Sequence, residues 1–192
     1  VGGMGQGHAE SMKKVKEAQL VAVCDIEPDR AKQVGEKYGV EWFVDYKELI
    51  DSGLADAVIV ATPHYFHPEI SVYAMEKGLH VLSEKPIAVT VRQADTMVEA
   101  AKKTGKIFAV MYQMRNNGMF VTAKKLIQEG KLGEIKRTLL VNPWYRSQAY
   151  YDSGSWRATW KGEGGGVLIN QAPHMIDIFT WLAGLPKKFE AK

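Results

Sequence analysis

Short apolar runs alternate with segments of helical periodicity over the first 115 residues. The runs 20–24, 56–61, 80–83 and 107–111 carry apolar residues at consecutive positions. Strands covered by helices on both sides have this character. The intervening segments repeat apolar residues three or four positions apart and tend to begin near a proline and end at a glycine. This order predicts a doubly wound, mostly parallel sheet of the α/β class.

The pattern changes after about residue 115. The periodicity predicts a helix over 119–127 that stops near Gly130, and then a strand over 137–141. An aromatic and arginine-rich stretch from Trp144 to Trp160 has no simple period. A triple glycine and a last helix ending near Gly184 follow it. We therefore expect two domains, 1–115 and 116–192, of different construction.

Composition narrows the class of protein. The 192 residues are 46% hydrophobic and 24% charged, which is typical of a globular chain and argues against disorder. Lys and Arg number 25 against 22 acidic residues, for a net charge of +3, and the basic residues are scattered. We expect no nucleic-acid partner, and no membrane partner, since no apolar run approaches the roughly 18 residues that span a bilayer. The lone Cys24 excludes an internal disulfide and suits a cytoplasmic location.

The chain begins with a glycine-rich turn. Read as G-x-G-x-x-G, Gly2 and Gly5 are the second and third glycines, so we expect the first glycine and the first strand to precede Val1. The second glycine lets the backbone approach a pyrophosphate, and the third lets helix and strand pack closely. Asp25 ends a predicted strand 20 residues after Gly5, where a carboxylate binds a ribose diol and repels a 2′-phosphate. This favours NAD over NADP; the alternative is an ordinary glycine-rich turn with a surface aspartate.

Two further segments carry candidate chemistry. Lys85, in Ser83-Glu84-Lys85-Pro86, follows a predicted strand, and ligands of doubly wound sheets lie outside those strand ends. It would stabilise developing alkoxide charge, unless it is a solvated turn lysine. In the segment 164–177, offsets of four and seven place Asn170, His174 and Asp177 on one helical stripe, although Pro173 either kinks that helix or begins it. His174 is then either a core histidine or a general base.

The aromatic stretch and one histidine pair complete the candidates. The aromatic rings of the stretch from Trp144 to Trp160 either face sugar C–H groups or fill a core. Arg146 and Arg157 would hold hydroxyls or a carboxylate, and Trp156 and Arg157 are the best candidates for the ligand side. His64 and His67 lie three apart, but no carboxylate or cysteine gathers near them in sequence, so we expect no metal site.

These motifs, in this order, resemble the Gfo/Idh/MocA oxidoreductase family, which includes inositol, glucose and other sugar dehydrogenases. The resemblance implies a Rossmann NAD-binding domain over 1–115, followed by the start of an α+β substrate domain with an open, mostly antiparallel sheet. The residues that carry it are the glycine-rich start with Gly7-His8, Asp25, Ala61-Thr62-Pro63-His64 with His67, Glu84-Lys85-Pro86, Leu132-Gly133-Glu134-Ile135, and the block from Gly164 to Asp177.

The resemblance also implies roles for individual residues. Lys85 would lie near the nicotinamide, His174 would be the general base, and Asp25 would bind the adenosine ribose. Asn170 stands where many members carry an aspartate; it would orient a hydroxyl but cannot take a proton. The remaining residues implied to line the cofactor crevice are Gly2, Gly3, Met4, Gly5, Thr62, Pro63, His67 and Glu84. The substrate would contact Trp156, Arg157, His174 and Asp177.

The implied activity is hydride transfer between a sugar, cyclitol or related polyol hydroxyl and NAD, with NADP the less expected cofactor. Two alternatives stay open: a glycoside hydrolase that uses NAD transiently, and a non-catalytic regulator that senses NAD or a sugar. Family members continue well past residue 192. We therefore expect this chain to be a fragment of a protein that forms a homo-oligomer, a dimer or tetramer, when full length.

Overall fold

The structure is a computed structural model that describes residues 1–190. It divides into two compact units, Val1–Met111 and Tyr112–Lys192. Each unit is built differently, and each is described by itself below.

The first unit alternates helices and strands in the predicted order. Its strands are β1 (Ala22–Cys24), β2 (Glu41–Phe43), β3 (Ala57–Val60), β4 (His80–Ser83) and β5 (Phe108–Val110). Its helices are α1 (Gly3–Met12), α2 (Pro28–Tyr38), α3 (Tyr46–Asp51), α4 (His67–Glu76) and α5 (Val91–Thr104), with a 3₁₀ turn at His64–Phe66. The predicted α/β class is confirmed.

All strand pairs of this unit are parallel. Strand β1 pairs with β2, and β4 lies between β3 and β5. Within residues 1–190 the two sheets share no strand pairing. The pattern analysis missed β2, because its three residues include a glutamate and the 41% exposed Trp42 and so lack an apolar run.

Local signals explain where the helices begin and end. Pro28 lies in the first turn of α2, and Gly39 ends that helix in the left-handed conformation with φ 66°. The Asp45 side chain caps α3 by accepting from the Lys47 N–H at 2.8 Å. Gly35 is required for packing, because a Cβ there would lie 2.8 Å from the Cβ of Trp42. That contact brings α2 against β2.

The apolar core of the first unit lies between the three-stranded sheet β3–β4–β5 and helices α3, α4 and α5. Met75 and Met97 are fully buried, as is Ala74. A cluster of buried side chains surrounds Met75 and consists of Leu49, Ile50, Val60, Ile70, Ala74, Leu79, Val81 and Ala100. This core holds the carboxyl ends of β3 and β4, where the candidate chemistry lies.

The regular secondary structure described in the second unit is helical. Its helices are α6 (Gly118–Gln128), α7 (Gln148–Asp152), α8 (Trp160–Glu163), α9 (Val167–Asn170) and α10 (Pro173–Ala183), with a 3₁₀ turn at Gln113–Asn116. Helix α6 packs against α10, and Lys124 Nζ donates to the Trp181 carbonyl. None of the described helices is long and apolar enough to cross a membrane.

The structure tests one predicted strand of this unit and decides between the two alternatives for Pro173. Residues 137–141 form no strand, because a strand needs a hydrogen-bonded neighbour and no described residue pairs with this run. Asn170, His174 and Asp177 do not share one helix. Pro173 opens α10, which leaves Asn170 at the end of α9.

Candidate active site

The amino end of α1 presents free backbone donors. Gly2 is its N-cap and supplies no side-chain cap, and the first turn holds no acidic residue. A Cβ placed at Gly2 or Gly3 would meet no atom within 4 Å, so the space beside these glycines is open. Backbone N–H groups at the start of a helix, with the positive end of its dipole, bind phosphate well. The turn that includes Met4 and Gly5 therefore fits a pyrophosphate.

Asp25 lies directly after β1 and is nearly buried. Arg30 Nη1 donates to its two carboxylate oxygens at 3.0 and 3.1 Å, and the Glu27 N–H donates at 3.0 Å. Burial alone would raise the pKa of Asp25, but these donors together lower it below its usual value. Asp25 is thus an ionised acceptor at the strand end, as a ribose ligand must be.

Glu84 connects the first helix to the lysine loop. Its Oε1 lies 2.8 Å from His8 Nε2, and its Oε2 accepts from the Lys85 N–H at 3.2 Å. The carboxylate is 7% exposed. The Glu84 N–H in turn donates to the Val60 carbonyl at 2.8 Å, which extends the pairing of β3 with β4 by one residue. The loop that carries Lys85 therefore leaves the sheet next to His8, in the second turn of α1.

His67 ties the loops after β3 and β4 together. It is completely buried, with Nδ1 2.8 Å from the Pro86 carbonyl oxygen and Nε2 2.9 Å from that of Thr62. A neutral imidazole donates to only one carbonyl, whereas an imidazolium donates to both. The sequence implied that His67 lines the crevice with Thr62 and Pro63. Its full burial instead gives it a positioning role behind that surface.

Two further side chains of the first unit, His64 and Cys24, bear on metal binding and on thiol chemistry. His64 lies with its ring centroid 5.9 Å from that of His67, and among the residues described no three metal-ligating side chains cluster. Burial raises the pKa of Cys24 to about 11, so its thiol stays protonated and unreactive.

In the second unit, Asn170 belongs to a buried polar pair. Its Nδ2 donates to Glu163 Oε1, and both side chains are buried, Glu163 to 2% exposure. Gly162 sets the position of Glu163, because a Cβ at Gly162 would overlap the Trp156 carbonyl oxygen. Sequence reasoning missed Glu163, although an acidic residue directly before a triple glycine was a visible signal.

His174 lies in the first turn of α10. Its ring stands edge-on to Tyr112, with centroids 6.0 Å apart. Asp177 is engaged elsewhere, because Arg115 binds both of its oxygens at 2.8 and 2.5 Å. That pairing raises the pKa of Arg115. The Asp177 carboxylate therefore forms an ion pair with Arg115, one helical turn after His174.

The aromatic stretch folds around Tyr150. The Arg157 guanidinium lies 4.4 Å from the centroid of the Tyr150 ring and 4.7 Å from that of Trp156. Arg157 also donates to the Tyr150 hydroxyl at 2.8 Å. Arg146 lies over the same tyrosine ring and over Trp144. The predicted ligand-side residues Trp156 and Arg157 thus belong to one cation–π cluster.

Comparison with known proteins fits this arrangement. A family model described as the oxidoreductase family GFO_IDH_MocA, with an NAD-binding Rossmann fold, matches residues 1–112. The C-terminal domain model of the same family matches residues 120–192. The chain belongs to the Gfo/Idh/MocA family. The resemblance seen in the motifs is confirmed.

Its relatives include characterised dehydrogenases. The chain is 31% identical to scyllo-inositol 2-dehydrogenase (NAD(+)) of Bacillus subtilis, over 96% of this chain and 52% of that protein. It is 32% identical to D-glucoside 3-dehydrogenase of Escherichia coli, over 93% of this chain and 50% of that one. This family member thus spans about half the length of the curated relatives it matches.

A solved structure is similar over nearly the whole chain. The WlbA dehydrogenase of Chromobacterium violaceum, in complex with NADH and UDP-GlcNAcA, has a TM-score of 0.86 and 34% identity. The match covers 95% of this chain and 53% of that one. The Rossmann fold assigned from the strand order is shared with this structure.

Proposed function

We propose that the full-length protein is an NAD-dependent oxidoreductase that moves hydride between a sugar, cyclitol or related polyol hydroxyl and the nicotinamide. The His8–Glu84 hydrogen bond of 2.8 Å carries this proposal. It fixes the lysine loop against the second turn of the helix whose amino end fits a pyrophosphate. A cofactor bound there would have its reactive end near Lys85, at the carboxyl edge of a parallel sheet.

The chain's residues divide the work in this proposal. NAD, when bound, supplies the hydride acceptor. The N–H groups of the α1 first turn hold the pyrophosphate, and Asp25 holds the adenosine ribose. The Lys85 ammonium binds the reacting oxygen and stabilises its developing negative charge. His174 takes the hydroxyl proton, and Asn170 orients the hydroxyl.

The relatives support this class of reaction. Those above are named as inositol and glucoside dehydrogenases, and the WlbA structure holds NADH. One similar protein of Bacillus subtilis is an NADP(+)-dependent scyllo-inositol dehydrogenase, so both cofactors occur among the relatives. The ionised Asp25 favours NAD here, because it repels a 2′-phosphate. A homo-oligomer and a cytoplasmic location stay predictions.

Asn170 gives weight to a second candidate, a regulator that binds NAD or a sugar without turnover. Its amide nitrogen donates to the Glu163 carboxylate, and an amide cannot act as a base. Such a regulator would bind NAD calorimetrically and produce no absorbance at 340 nm with any sugar.

Substitution of Lys85 tests the proposed activity. In the full-length protein, Lys85→Met should lower kcat about 100- to 1,000-fold, as loss of one charge-stabilising donor does elsewhere. The dissociation constant of NAD should change less than about threefold, because the contacts that bind the cofactor are not altered. Lys103→Met, at an exposed position of α5, is the matched control and should leave both unchanged. Equal losses of kcat and NAD affinity would contradict the role of Lys85.

A further inference from the structure

Two arginines of the second unit share one tyrosine ring. The Arg146 guanidinium lies 4.8 Å from the Tyr150 ring centroid, and that of Arg157 lies 4.4 Å from it. Arg146 also lies 4.2 Å from the centroid of Trp144. Two positive charges therefore lie against the same aromatic ring.

Protein groups leave these charges unneutralised. No carboxylate within residues 1–190 forms an ion pair with Arg146 or Arg157. Arg157 donates only to neutral oxygens, the Ser153 hydroxyl at 3.1 Å and the Tyr150 hydroxyl. The nearby Asp152 accepts from Gln148 instead.

Arg146 has an unmet hydrogen-bonding requirement. Its Nε is buried and has no hydrogen-bond partner in the part of the chain that the structure describes. Buried donors in native proteins are nearly always paired, so an orphaned one points to a missing acceptor. Cation–π contact uses the face of a guanidinium and leaves its in-plane N–H donors available.

The acceptor that best fits is an anion. Planar guanidinium groups bind carboxylate and phosphate oxygens through paired hydrogen bonds, and two unneutralised positive charges beside one ring favour a negative ligand. Trp156, which lies against Arg157, packs on Gly162, and the next residue, Glu163, binds Asn170. The arginine pair is thus built into the same loop that positions Asn170.

We propose that Arg146 and Arg157 bind a carboxylate or phosphate group of the substrate. The substrate class is then an acidic sugar, such as a uronic acid or a sugar phosphate, and not a neutral polyol. This rests on the proposed dehydrogenase function and narrows it.

The test compares matched neutral and anionic sugars on the full-length protein. D-glucose and D-galactose are each assayed beside their uronates and 6-phosphates, by calorimetric binding to the NADH-loaded protein and by NAD reduction at 340 nm. At least one anionic member should bind about ten- to a hundredfold more tightly than its neutral parent, as expected for a charge-assisted contact. The uronate and phosphate arms identify which anion is bound.

Variants assign that preference to the arginines. Arg146→Met and Arg157→Met should each reduce the preference about tenfold or more, whereas Arg146→Lys, which keeps the charge and the stacking stem, should retain part of it. Arg137→Met removes an exposed positive charge from the same unit and should leave the preference unchanged.

The outcomes separate this inference from the proposed function. Equal binding of neutral and anionic sugars, binding of none of them, or a preference that survives both methionine variants overturns the arginine site. Oxidation of a neutral sugar without charge preference would overturn the arginine site but would still support the proposed dehydrogenase activity. Charge-selective binding without any NAD reduction would support the arginine site and contradict the dehydrogenase.

Discussion

The two units differ in the apolar core that they bury. The cluster around Met75 lies wholly in the first unit and is apolar. The buried residues of the second unit, among those described, are Pro173, Ala172 and Ile178 together with the polar Glu163, Asn170 and Gln171. Hydrophobic burial is non-directional and tolerates small shifts, whereas a buried polar pair fixes the positions of both groups. The first unit therefore adds the buried polar contacts of His67 and Glu84 to a packed apolar frame, whereas the described part of the second unit holds its chemistry mainly through polar contacts.

The strongest test of the packed frame is a cavity. Met75→Ala removes a fully buried side chain from the centre of the cluster and should lower the free energy of unfolding by about 2–5 kcal/mol. Urea unfolding of the full-length protein measures the loss. Met119→Ala in α6, where the side chain is 66% exposed, is the control and should change stability by less than about 0.5 kcal/mol. Comparable losses in the two variants would contradict the contrast between the units.

A polar contact within the first unit provides the next test. His67→Phe keeps a ring in the buried site but removes both ring nitrogens from the carbonyls of Pro86 and Thr62. We expect a loss of about 2–3 kcal/mol in the free energy of unfolding, since buried unpaired polar groups are unfavourable. Urea unfolding checks this value.

A second measurement separates packing from positioning. His67→Phe should also lower kcat more than it weakens NAD binding, because the loop that carries Lys85 loses its anchor at Pro86. An unchanged kcat in a folded variant would remove His67 from the positioning role.

Sequence could predict the first unit well, because its signals are local. Consecutive apolar residues marked β3 and β4, and Pro28 and Gly39 marked the ends of α2. It missed β2, whose three residues form no apolar run. It also correctly placed Glu84 and Lys85 after a strand, where parallel-sheet chemistry lies.

The second unit resisted prediction for a physical reason. The pairing of Asn170 with Glu163, and of Asp177 with Arg115, joins side chains across turns and helices, and no periodicity records such contacts. Helical spacing suggested that Asn170 and His174 share a helix, but the Pro173 ring favours the first turn of a new one. The strand over 137–141 had the right composition but no described partner.

Exchange of the polar pair tests the second unit directly. Asn170→Asp places a carboxylate against that of Glu163 and removes the donor between them. Two adjacent carboxylates repel, so the free energy of unfolding should fall by about 1–3 kcal/mol at neutral pH. The loss should shrink in acid, where one carboxyl takes a proton. Urea unfolding at both pH values measures it.

The double variant is the matched control for that exchange. Glu163→Gln combined with Asn170→Asp restores one amide and one carboxylate in reversed order, and it should recover most of the lost stability. A double variant no more stable than Asn170→Asp would show that the pair is not what holds this loop.

The smallest expected effect concerns Asp25, which lies at the edge of the packed frame. Its pKa is lowered in the folded protein from the ordinary 3.8, so its ionised form stabilises the fold above that pH. This contribution is lost as pH falls through the lower folded value. Asp25→Asn should therefore reduce the free energy of unfolding by about 1 kcal/mol at neutral pH, and the difference from the parent should shrink as pH falls below 3.8. Urea unfolding of both proteins across that range measures the difference; a gap that stays constant into acid would mean that the Arg30 and Glu27 contacts do not depend on the charge of Asp25.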